Sequence, residues 1–340
     1  MFSLEHLVDL PLVWYGLILV AVLLYIVLDG FDLGVGILFP FAPSEECRNR
    51  MMNSIAPFWD GNETWLILGG GGLFAAFPLA YAILMPALYV PVIAMLLGLI
   101  FRGVAFEFRF KAPPGKRGLW DHAFHFGSLA AAFMQGTIIG AVVQGIPVEG
   151  RSFVGGAFDW LNGYSVMTGV ALVFGYALLG ATWTVMKTEG LTQAWARNAA
   201  VYALGWVAVF LAIVSVSMPF INPDIRALWW TIPNLFYLAP IPTASLVLIL
   251  LITRDLRSSQ REVRPFLCAI GVFLTAYLGL GISLYPYAVP YEVSFRQAAA
   301  AGPSQSLLLV GTVVLLPIVL AYTAYCYHVF RGKASHESGY

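Results

Sequence analysis

Apolar stretches of about twenty residues recur along the whole chain, and they restrict its fold more than any other feature. A helix needs about 20 apolar residues to cross a bilayer, so each stretch predicts a membrane-spanning helix. We predict nine spans, near residues 12–41, 57–77, 81–103, 122–144, 162–186, 199–218, 235–253, 266–286 and 305–330. Only Phe77-Pro78 separates the second span from the third, so a count of eight stays open.

The composition supports this fold class, since 60% of the residues are hydrophobic and 11% are charged. No soluble fold needs so much apolar surface, so we predict an all-α polytopic membrane protein with one integral membrane domain over residues 1–340. The net charge of zero removes any case for attraction to nucleic acid. The first apolar stretch is too long for a signal peptide and is expected to be retained. The three cysteines lie far apart and indicate neither a disulfide framework nor a metal site.

Lysines and arginines collect in alternate connections between the predicted spans, which sets the orientation of the chain. One set of connections holds fourteen of the eighteen basic residues. These are Arg48, Arg50, Arg109, Lys111, Lys116, Arg117, Lys187, Arg197, Arg254, Arg257, Arg261, Arg264, Arg331 and Lys333. The other set holds only Arg151, Arg226 and Arg296. Because basic connections stay in the cytoplasm, we predict an external N-terminus, a cytoplasmic C-terminus and an odd number of spans.

The first span carries two carboxylates, Asp29 and Asp32, within an apolar segment that runs over residues 11–42. An ionised Asp in the hydrocarbon region costs about 2.5 to 3.5 kcal/mol on insertion scales, so such residues usually mark a pathway or a paired site. The two acids share a helical face, and at least one is expected to hold a proton unless a cation lies nearby. The spacing of Gly30 and Gly34 predicts that another helix packs closely beside them.

The predicted topology places polar residues of the next two spans at the depth of these acids. We predict one polar cluster near the cytoplasmic leaflet, in which the arginine that ends the third span supplies a cation. Its members are Asp29, Asp32, Asp60, Glu63 and Arg102. Such a cluster can take up protons from cytoplasmic water or hold the polar head of a quinone.

Each of the later members also has a purely structural interpretation. Asp60 and Glu63 lie in the first turns of a helix, where the helix dipole favours acids. Trp59 fits an ordinary interfacial anchor, and Arg102 can snorkel to the headgroups.

The other polar residues of the spans are less specific. His122 and His125 lie at the mouth of the fourth span, where they can relay protons or contact a lipid phosphate. Haem sites in membrane bundles need histidines in mid-span, so no haem is expected on this chain. Gln135 and Gln144 can extend a polar path or bond a neighbouring helix. The glycine run 69–72 lacks the ending of a phosphate loop and predicts close helix packing.

Several segments carry a family resemblance. They are DGFDLGVG at 29–36, NSIAPFWDGNETWL at 53–66, LFAAFP at 73–78, FRGVAFEFR at 101–109 and PIVLAYTAYCY at 317–327. Together they resemble subunit II of the cytochrome bd-type quinol oxidases, specifically in the first 110 residues and the last 25 and more loosely between.

The resemblance implies an accessory subunit of a terminal oxidase that reduces dioxygen to water with electrons from quinol. The expected partner is subunit I, which binds haem b and haem d, while this chain binds no haem. A small single-helix subunit, lipid and a structural quinone such as ubiquinone are further partners to consider. The implied fold has two four-helix bundles, at about 12–144 and 162–286, and a peripheral helix at about 305–330. The implied location is the bacterial cytoplasmic membrane, with the N-terminus in the periplasm.

The resemblance also implies roles for the polar cluster. Asp32, Trp59, Asp60 and Arg102 fall where the family's motif places a cytoplasmic proton path and the structural quinone, and Asp29 fits an acidic position of that motif. We therefore expect a proton path through Asp29, Asp32, Asp60 and Glu63, with Trp59 and Arg102 binding quinone or setting charge. No catalytic residue and no metal ligand is expected on this chain. The short outer loops resemble the cyanide-insensitive branch of the family.

Two other classes of function stay open. An acid pair in a helix rich in small residues also suits a proton-coupled secondary transporter, although matched discontinuous helices are not evident. Alternatively, the polar cluster is only an assembly lock, and its mutation lowers the yield of the complex while turnover per haem stays intact.

Overall fold

The computed structural model describes residues 8–258 and 261–334, and helices dominate it. Within these residues the α-helices α1 to α13 span Leu10–Leu38, Glu45–Ile55, Trp59–Ala76, Pro78–Lys111, Arg117–Gln144, Gly163–Lys187, Gly190–Ile221, Pro223–Trp230, Asn234–Leu238, Pro240–Ser258, Arg264–Leu284, Phe295–Ala298 and Gly302–Val329. Short 3-10 turns cover Phe39–Phe41 and Pro114–Lys116. Two antiparallel hairpins pair β1 (Val148–Glu149) with β2 (Ser152–Phe153), and β3 (Tyr287–Val289) with β4 (Val293–Ser294). The predicted all-α polytopic membrane fold is confirmed.

Eight helical segments of the described chain are long and apolar enough to cross a membrane. They are the segments that contain α1, α4, α5, α6, α7, α10, α11 and α13. The second predicted span is also a helix, α3, but Asp60, Asn62 and Glu63 in its first turns make it too polar to meet the same test. The ninth crossing therefore stays a prediction.

Helix α3 nevertheless runs antiparallel to α1 over most of its own length. Near one end, Asn62 Nδ2 lies 3.2 Å from the carbonyl oxygen of Leu28. Further along, a Cβ on Gly72 would lie 3.2 Å from Ile18 Cγ1, so only glycine allows this approach without displacing the side chain. The close helix packing predicted for the glycine run 69–72 is confirmed on this face.

The ends of several helices follow from capping and proline chemistry. Asn162 and Ser165 form a capping box at the start of α6, which satisfies backbone N–H groups that have no partner within the helix. Pro78 occupies the first position of α4, directly after the break at Phe77, as the Phe77-Pro78 pair predicts.

Helix α4 continues to Lys111, so the prediction that Arg102 lies at a helix end is wrong. The charged residues that interrupt the apolar pattern there are good helix formers.

Helix α2 has no counterpart among the predicted spans, because it is an amphipathic helix of 11 residues. Ser44 caps it by accepting a hydrogen bond from the Cys47 backbone N–H at 3.2 Å. Met51, Met52 and Ile55 are fully buried against the bundle. The helix therefore lies across one end of the bundle, where a search for twenty-residue apolar stretches cannot detect it.

Eight of the long helices form two rings of four. Helices α1, α3, α4 and α5 contact one another in a closed circuit, and so do α6, α7, α10 and α11. Helix α6 packs against both α1 and α5, so the two rings share an extensive interface. The two rings have the helix membership expected for two bundles; that residues 12–144 and 162–286 are separate bundles stays a prediction.

The rings meet most closely where α1 crosses α6. A Cβ on Gly34 would lie 1.8 Å from the carbonyl oxygen of Tyr176, and a Cβ on Gly180 would lie 2.3 Å from the carbonyl carbon of Gly34. Only glycine fits at such distances, so the prediction drawn from Gly30 and Gly34 is confirmed and the neighbouring helix is α6.

Helix α13 lies outside both rings and is mostly exposed. At its first turns, Gln305 Nε2 donates to the carbonyl oxygen of Ala76 at 3.1 Å, and Trp14 Nε1 donates to the carbonyl oxygen of Gln305 at 3.1 Å. At its last turns, Tyr327 stacks on Phe58 with ring centroids 4.5 Å apart. Hydrogen bonds and ring stacking thus attach α13 at both ends, and between them Leu316 packs against Ala21, Tyr25 and Trp65.

One end of the molecule, which we call the basic end, collects the connections that were predicted to be cytoplasmic. There Arg109 Nε donates to Asp121 Oδ1 at 2.5 Å, and Lys333 Nζ lies 2.5 Å from Glu262 Oε2. Helices α1, α4, α6, α10 and α13 all finish at this end. The structure therefore groups these connections as predicted, while the side of the membrane they face stays a prediction.

Candidate functional site

Helix α1 carries Asp29 and Asp32 into the interior near the basic end, and both side chains have no exposed surface. Their spacing of three residues turns both carboxylates toward α3 and α4, while Gly30 and Gly34 meet α6. A fully buried carboxylate needs a cation or hydrogen-bond donors close by.

Arg102 of α4 supplies that cation and is 1% exposed. Its Nη1 atom lies 2.8 Å from Asp29 Oδ1 and 3.8 Å from Glu63 Oε2, and its Nη2 atom lies 3.9 Å from Asp32 Oδ2. Three carboxylates therefore surround one guanidinium. We call Asp29, Asp32, Glu63 and Arg102 the carboxylate-arginine cluster. The burial of Arg102 also excludes the interpretation that it snorkels to the headgroups.

Asp32 receives its hydrogen bond from an uncharged side chain. Asn62 Nδ2 donates to Asp32 Oδ2 at 2.7 Å, and the Asn62 carbonyl accepts from the Tyr327 hydroxyl at 2.9 Å. The other oxygen, Asp32 Oδ1, has no hydrogen-bond partner among the described residues. Sequence reasoning missed Asn62 and Tyr327. Both lie in the segments that carry the family resemblance, but an uncharged polar residue in a span gives no energetic signal comparable to a charge.

Glu63 connects the cluster to the surface, because its side chain is 28% exposed while those of Asp29 and Asp32 are fully buried. The structure does not bring Asp60 into the cluster. Asp60 is exposed and forms no ion pair with any described residue. Residues two positions apart in a helix point in directions that differ by about 200° around its axis. Because Asn62 faces α1, Asp60 must therefore point away from α1.

Trp59 borders the cluster on its outer side and is half-buried. Its ring centroid lies 5.9 Å from Arg102 Cζ and 5.1 Å from the Phe106 ring centroid. The indole therefore covers one side of the guanidinium and separates it from the surroundings of the bundle.

A separate chain of hydrogen bonds joins α1, α5 and α6 one helical turn from Asp29. Gln135 Nε2 donates to the Tyr25 hydroxyl at 2.7 Å, and the Tyr176 hydroxyl donates to Gln135 Oε1 at 2.7 Å. Tyr25 lies one turn before Asp29 on α1, and neither Asp29 oxygen has a hydrogen-bond partner among the described residues. Gln135 thus bonds both neighbouring helices.

The other predicted polar residues lie elsewhere. Gln144 borders a cavity of about 210 Å³ at the end opposite the basic end, so it does not extend the path from the cluster. His125 Nδ1 lies 3.3 Å from the carbonyl oxygen of Gly36. Across the described residues, histidines, cysteines and acids form no group of three or more that could hold a metal ion.

Known proteins are similar in sequence to this chain over nearly its whole length. A family model described as cytochrome bd terminal oxidase subunit II matches residues 10–330. The chain belongs to that family. The cytochrome bd-I ubiquinol oxidase subunit 2 of Escherichia coli K12 is 32% identical over an alignment of 373 positions. The alignment covers 96% of this chain and 96% of that one. The cytochrome bd ubiquinol oxidase subunit 2 of Bacillus subtilis 168 is 31% identical over 336 residues, covering 95% of this chain and 96% of its own length.

The fold is shared with a solved bd oxidase. A chain of the bd oxidase from Geobacillus thermodenitrificans matches with a TM-score of 0.79 and 15% identity, and the match covers 95% of this chain and 99% of that one. The resemblance to bd oxidase subunit II that the sequence motifs predicted is therefore confirmed. These comparisons give no support to the alternative of a secondary transporter.

Proposed function

We propose that this bd oxidase subunit II is the non-haem subunit of a quinol:oxygen oxidoreductase, in which it scaffolds a haem-bearing subunit I and delivers protons to it. Family membership supports the subunit assignment, and the curated relatives are named as ubiquinol oxidase subunits. Haem b and haem d in subunit I supply the oxygen chemistry. The residues of this chain supply protons and hold the partner in place.

The observation that carries the proton path is the graded exposure of the carboxylates. Asp60 is exposed, Glu63 is partly exposed, and Asp29 and Asp32 are fully buried. Glu63 and Asp29 lie against the same Arg102 Nη1 atom. A proton can pass from the Glu63 carboxyl to the Asp29 carboxylate, after which Glu63 is ionised and takes up another proton from water. Arg102 compensates the charge that this exchange leaves behind.

The arrangement of three carboxylates around one guanidinium suits proton exchange better than a purely structural link between two helices. One ion pair would fasten two helices, and the pair of Arg102 with Asp29 is enough for that. One cation cannot compensate three carboxylates of which two are fully buried, so part of the cluster must hold protons, and those protons can be exchanged.

The test is oxygen consumption per haem in the purified complex carrying Glu63→Gln. Glutamine keeps the shape of the side chain but cannot release a proton, so turnover should fall by about tenfold or more, with haem content unchanged. Asp29→Asn should have the same effect if the complex assembles. Glu107→Gln is the matched control, because Glu107 is an exposed acid on α4 whose ion pair, with Lys111, lies outside the cluster.

Unchanged turnover per haem in Glu63→Gln would contradict the proton path. If complex yield falls while turnover per haem stays the same, the assembly lock is correct instead.

We also propose that a structural quinone lies against Trp59. Trp59 is half-buried and offers a flat ring at the outer side of the cluster, which fits the head of a quinone. Arg102 is turned inward to three carboxylates and is almost fully buried. Of the two residues expected to bind quinone or set charge, Trp59 is therefore the better candidate for contacting the quinone. Arg102 is the better candidate for setting the charge state of the carboxylates.

A further inference from the structure

Helix α13 reaches the carboxylate-arginine cluster through one chain of hydrogen bonds. Tyr327 of α13 donates to Asn62 of α3, and Asn62 donates to Asp32 of α1. Asn62 is 1% exposed and Asp32 is fully buried, so water does not compete for these bonds. Both bonds have good lengths, 2.9 Å and 2.7 Å.

The direction of these bonds is fixed by chemistry. A backbone carbonyl can only accept, so the Asn62 nitrogen must face Leu28 and Asp32, and the Asn62 oxygen is left to accept from the Tyr327 hydroxyl. The same nitrogen also lies 3.2 Å from the carbonyl oxygen of Leu28, which is a second acceptor. Without the Tyr327 hydroxyl, the Asn62 carbonyl oxygen would be buried without a donor, and the amide would lose the contact that sets its orientation.

Tyr327 is itself held firmly in place. Its ring stacks on Phe58, and the neighbouring Cys326 Sγ lies 3.3 Å from the carbonyl oxygen of Pro57. These contacts join the end of α13 to the connection that precedes α3.

The segment after α13 adds a second attachment at the basic end. Lys187 Nζ donates to the carbonyl oxygen of Gly332 at 2.7 Å, and Lys333 Nζ donates to the carbonyl oxygen of Thr188 at 3.0 Å. Hydrogen bonds from Lys333 and Gln193 hold the pKa of the Glu262 carboxyl below its usual range. Glu262 therefore stays ionised at neutral pH and keeps its ion pair with Lys333, which holds the short segment after α13 in place.

We propose that Asn62 and Tyr327 are positioning residues for Asp32, so that α13 sets the geometry of the proton path. The inference rests on the proposed function, since it assigns a task to Asp32 in proton delivery. Tyr327 does not exchange protons with the path. It fixes the Asn62 amide, and the amide fixes Asp32 Oδ2 and leaves Asp32 Oδ1 available to a proton carrier.

The experiment is a double-mutant cycle with Tyr327→Phe and Asp32→Asn in the purified complex, measured as oxygen consumption per haem. Tyr327→Phe keeps the ring stacked on Phe58 and removes one hydrogen bond, so turnover should fall roughly three- to tenfold. In the Asp32→Asn background, Tyr327→Phe should cause no further loss, because the group it positions is gone. Tyr325→Phe is the matched control, since its exposed hydroxyl lies two residues away on the same helix.

Infrared difference spectra of the same preparations report the hydrogen bonding of the Asp32 carboxyl group directly. If Tyr327 only stabilised the fold, the frequency of this band would not change in Tyr327→Phe. The band that disappears in Asp32→Asn belongs to the Asp32 carboxyl group. It should shift in Tyr327→Phe and stay in place in Tyr325→Phe, because only the first changes the hydrogen bonding of Asp32.

Four results would overturn the inference. They are a normal turnover in Tyr327→Phe, an equal loss in both backgrounds, an unshifted Asp32 band, and the absence of any band that depends on Asp32. If Asp32→Asn slows turnover while Tyr327→Phe does not, the inference fails and the proton path stands. If Asp32→Asn leaves turnover unchanged, both this inference and the place of Asp32 in the path fail.

Discussion

At the scale of single residues, Arg102 decides what the buried acids can do. It is the only cation within 4 Å of Asp29, Asp32 and Glu63 among the described residues. Removing a partner from a buried ion pair typically costs about 3 to 5 kcal/mol, because the remaining charge is left without compensation. The same residue that makes the acids tolerable in the membrane thus limits how many of them can be ionised together.

Trp59 gives the prediction for the proposed quinone. Trp59→Ala removes the flat surface at the outer side of the cluster, so less quinone should be extracted per haem from the purified complex. Trp120→Ala is the matched control, because Trp120 lies at the basic end with its ring 5.2 Å from Phe108. An unchanged quinone content in Trp59→Ala would remove the quinone from this position.

The sequence identifies the charged members of the site and misses the uncharged ones. Asp29, Asp32, Glu63 and Arg102 are predictable because each charge in an apolar stretch carries a large insertion cost. Asn62 and Tyr327 carry no such cost, and no periodicity tells which of many polar side chains will meet across helices far apart in sequence. The prediction that Asp60 belongs to the cluster is wrong for a related reason. Its depth can be read from the sequence, but the face it occupies depends on how α3 is rotated against α1.

At the scale of helices, the contact of α1 with α6 depends on two glycines. Gly34→Ala would place a methyl group 1.8 Å from the Tyr176 carbonyl oxygen, so the helices would have to separate. We expect the thermal unfolding temperature and the yield of the complex to fall. Gly70→Ala is the control, because a Cβ there meets nothing within 4 Å. It should leave stability equal or raise it by up to about 1 kcal/mol, since alanine is the better helix former. Equal stability in Gly34→Ala and Gly70→Ala would contradict the close contact.

Long apolar helices are the elements that the sequence predicts well. The break at Phe77 and the starts of α6 and α11 lie within two residues of the prediction. Helix α2 and the extension of α4 to Lys111 were not predicted, because mixed polar and apolar residues at a membrane surface do not raise the mean hydropathy. Their helical form depends on capping and on packing against the bundle.

At the scale of the whole molecule, the orientation in the membrane is the main prediction to test. Lys111 and Arg151 lie on either side of α5, so they must lie at opposite ends of the bundle. In intact cells, an impermeant thiol reagent should label Arg151→Cys, whereas Lys111→Cys should react only after the membrane is opened. The unaltered chain controls for its own three cysteines. The reverse pattern would invert the orientation, and labelling of both variants in intact cells would contradict a membrane between them.

Because α13 is hydrogen-bonded at both ends, we expect this chain to respond to the thickness of its bilayer. A free helix accommodates a thicker or thinner bilayer by tilting. Helix α13 has 28 residues, a length of about 42 Å, and it is anchored by Gln305 at one end and Tyr327 at the other. We therefore expect a change in lipid length to load these two anchors, the second of which reaches Asp32 through Asn62. Turnover of the complex should then depend on the acyl-chain length of the lipids around it.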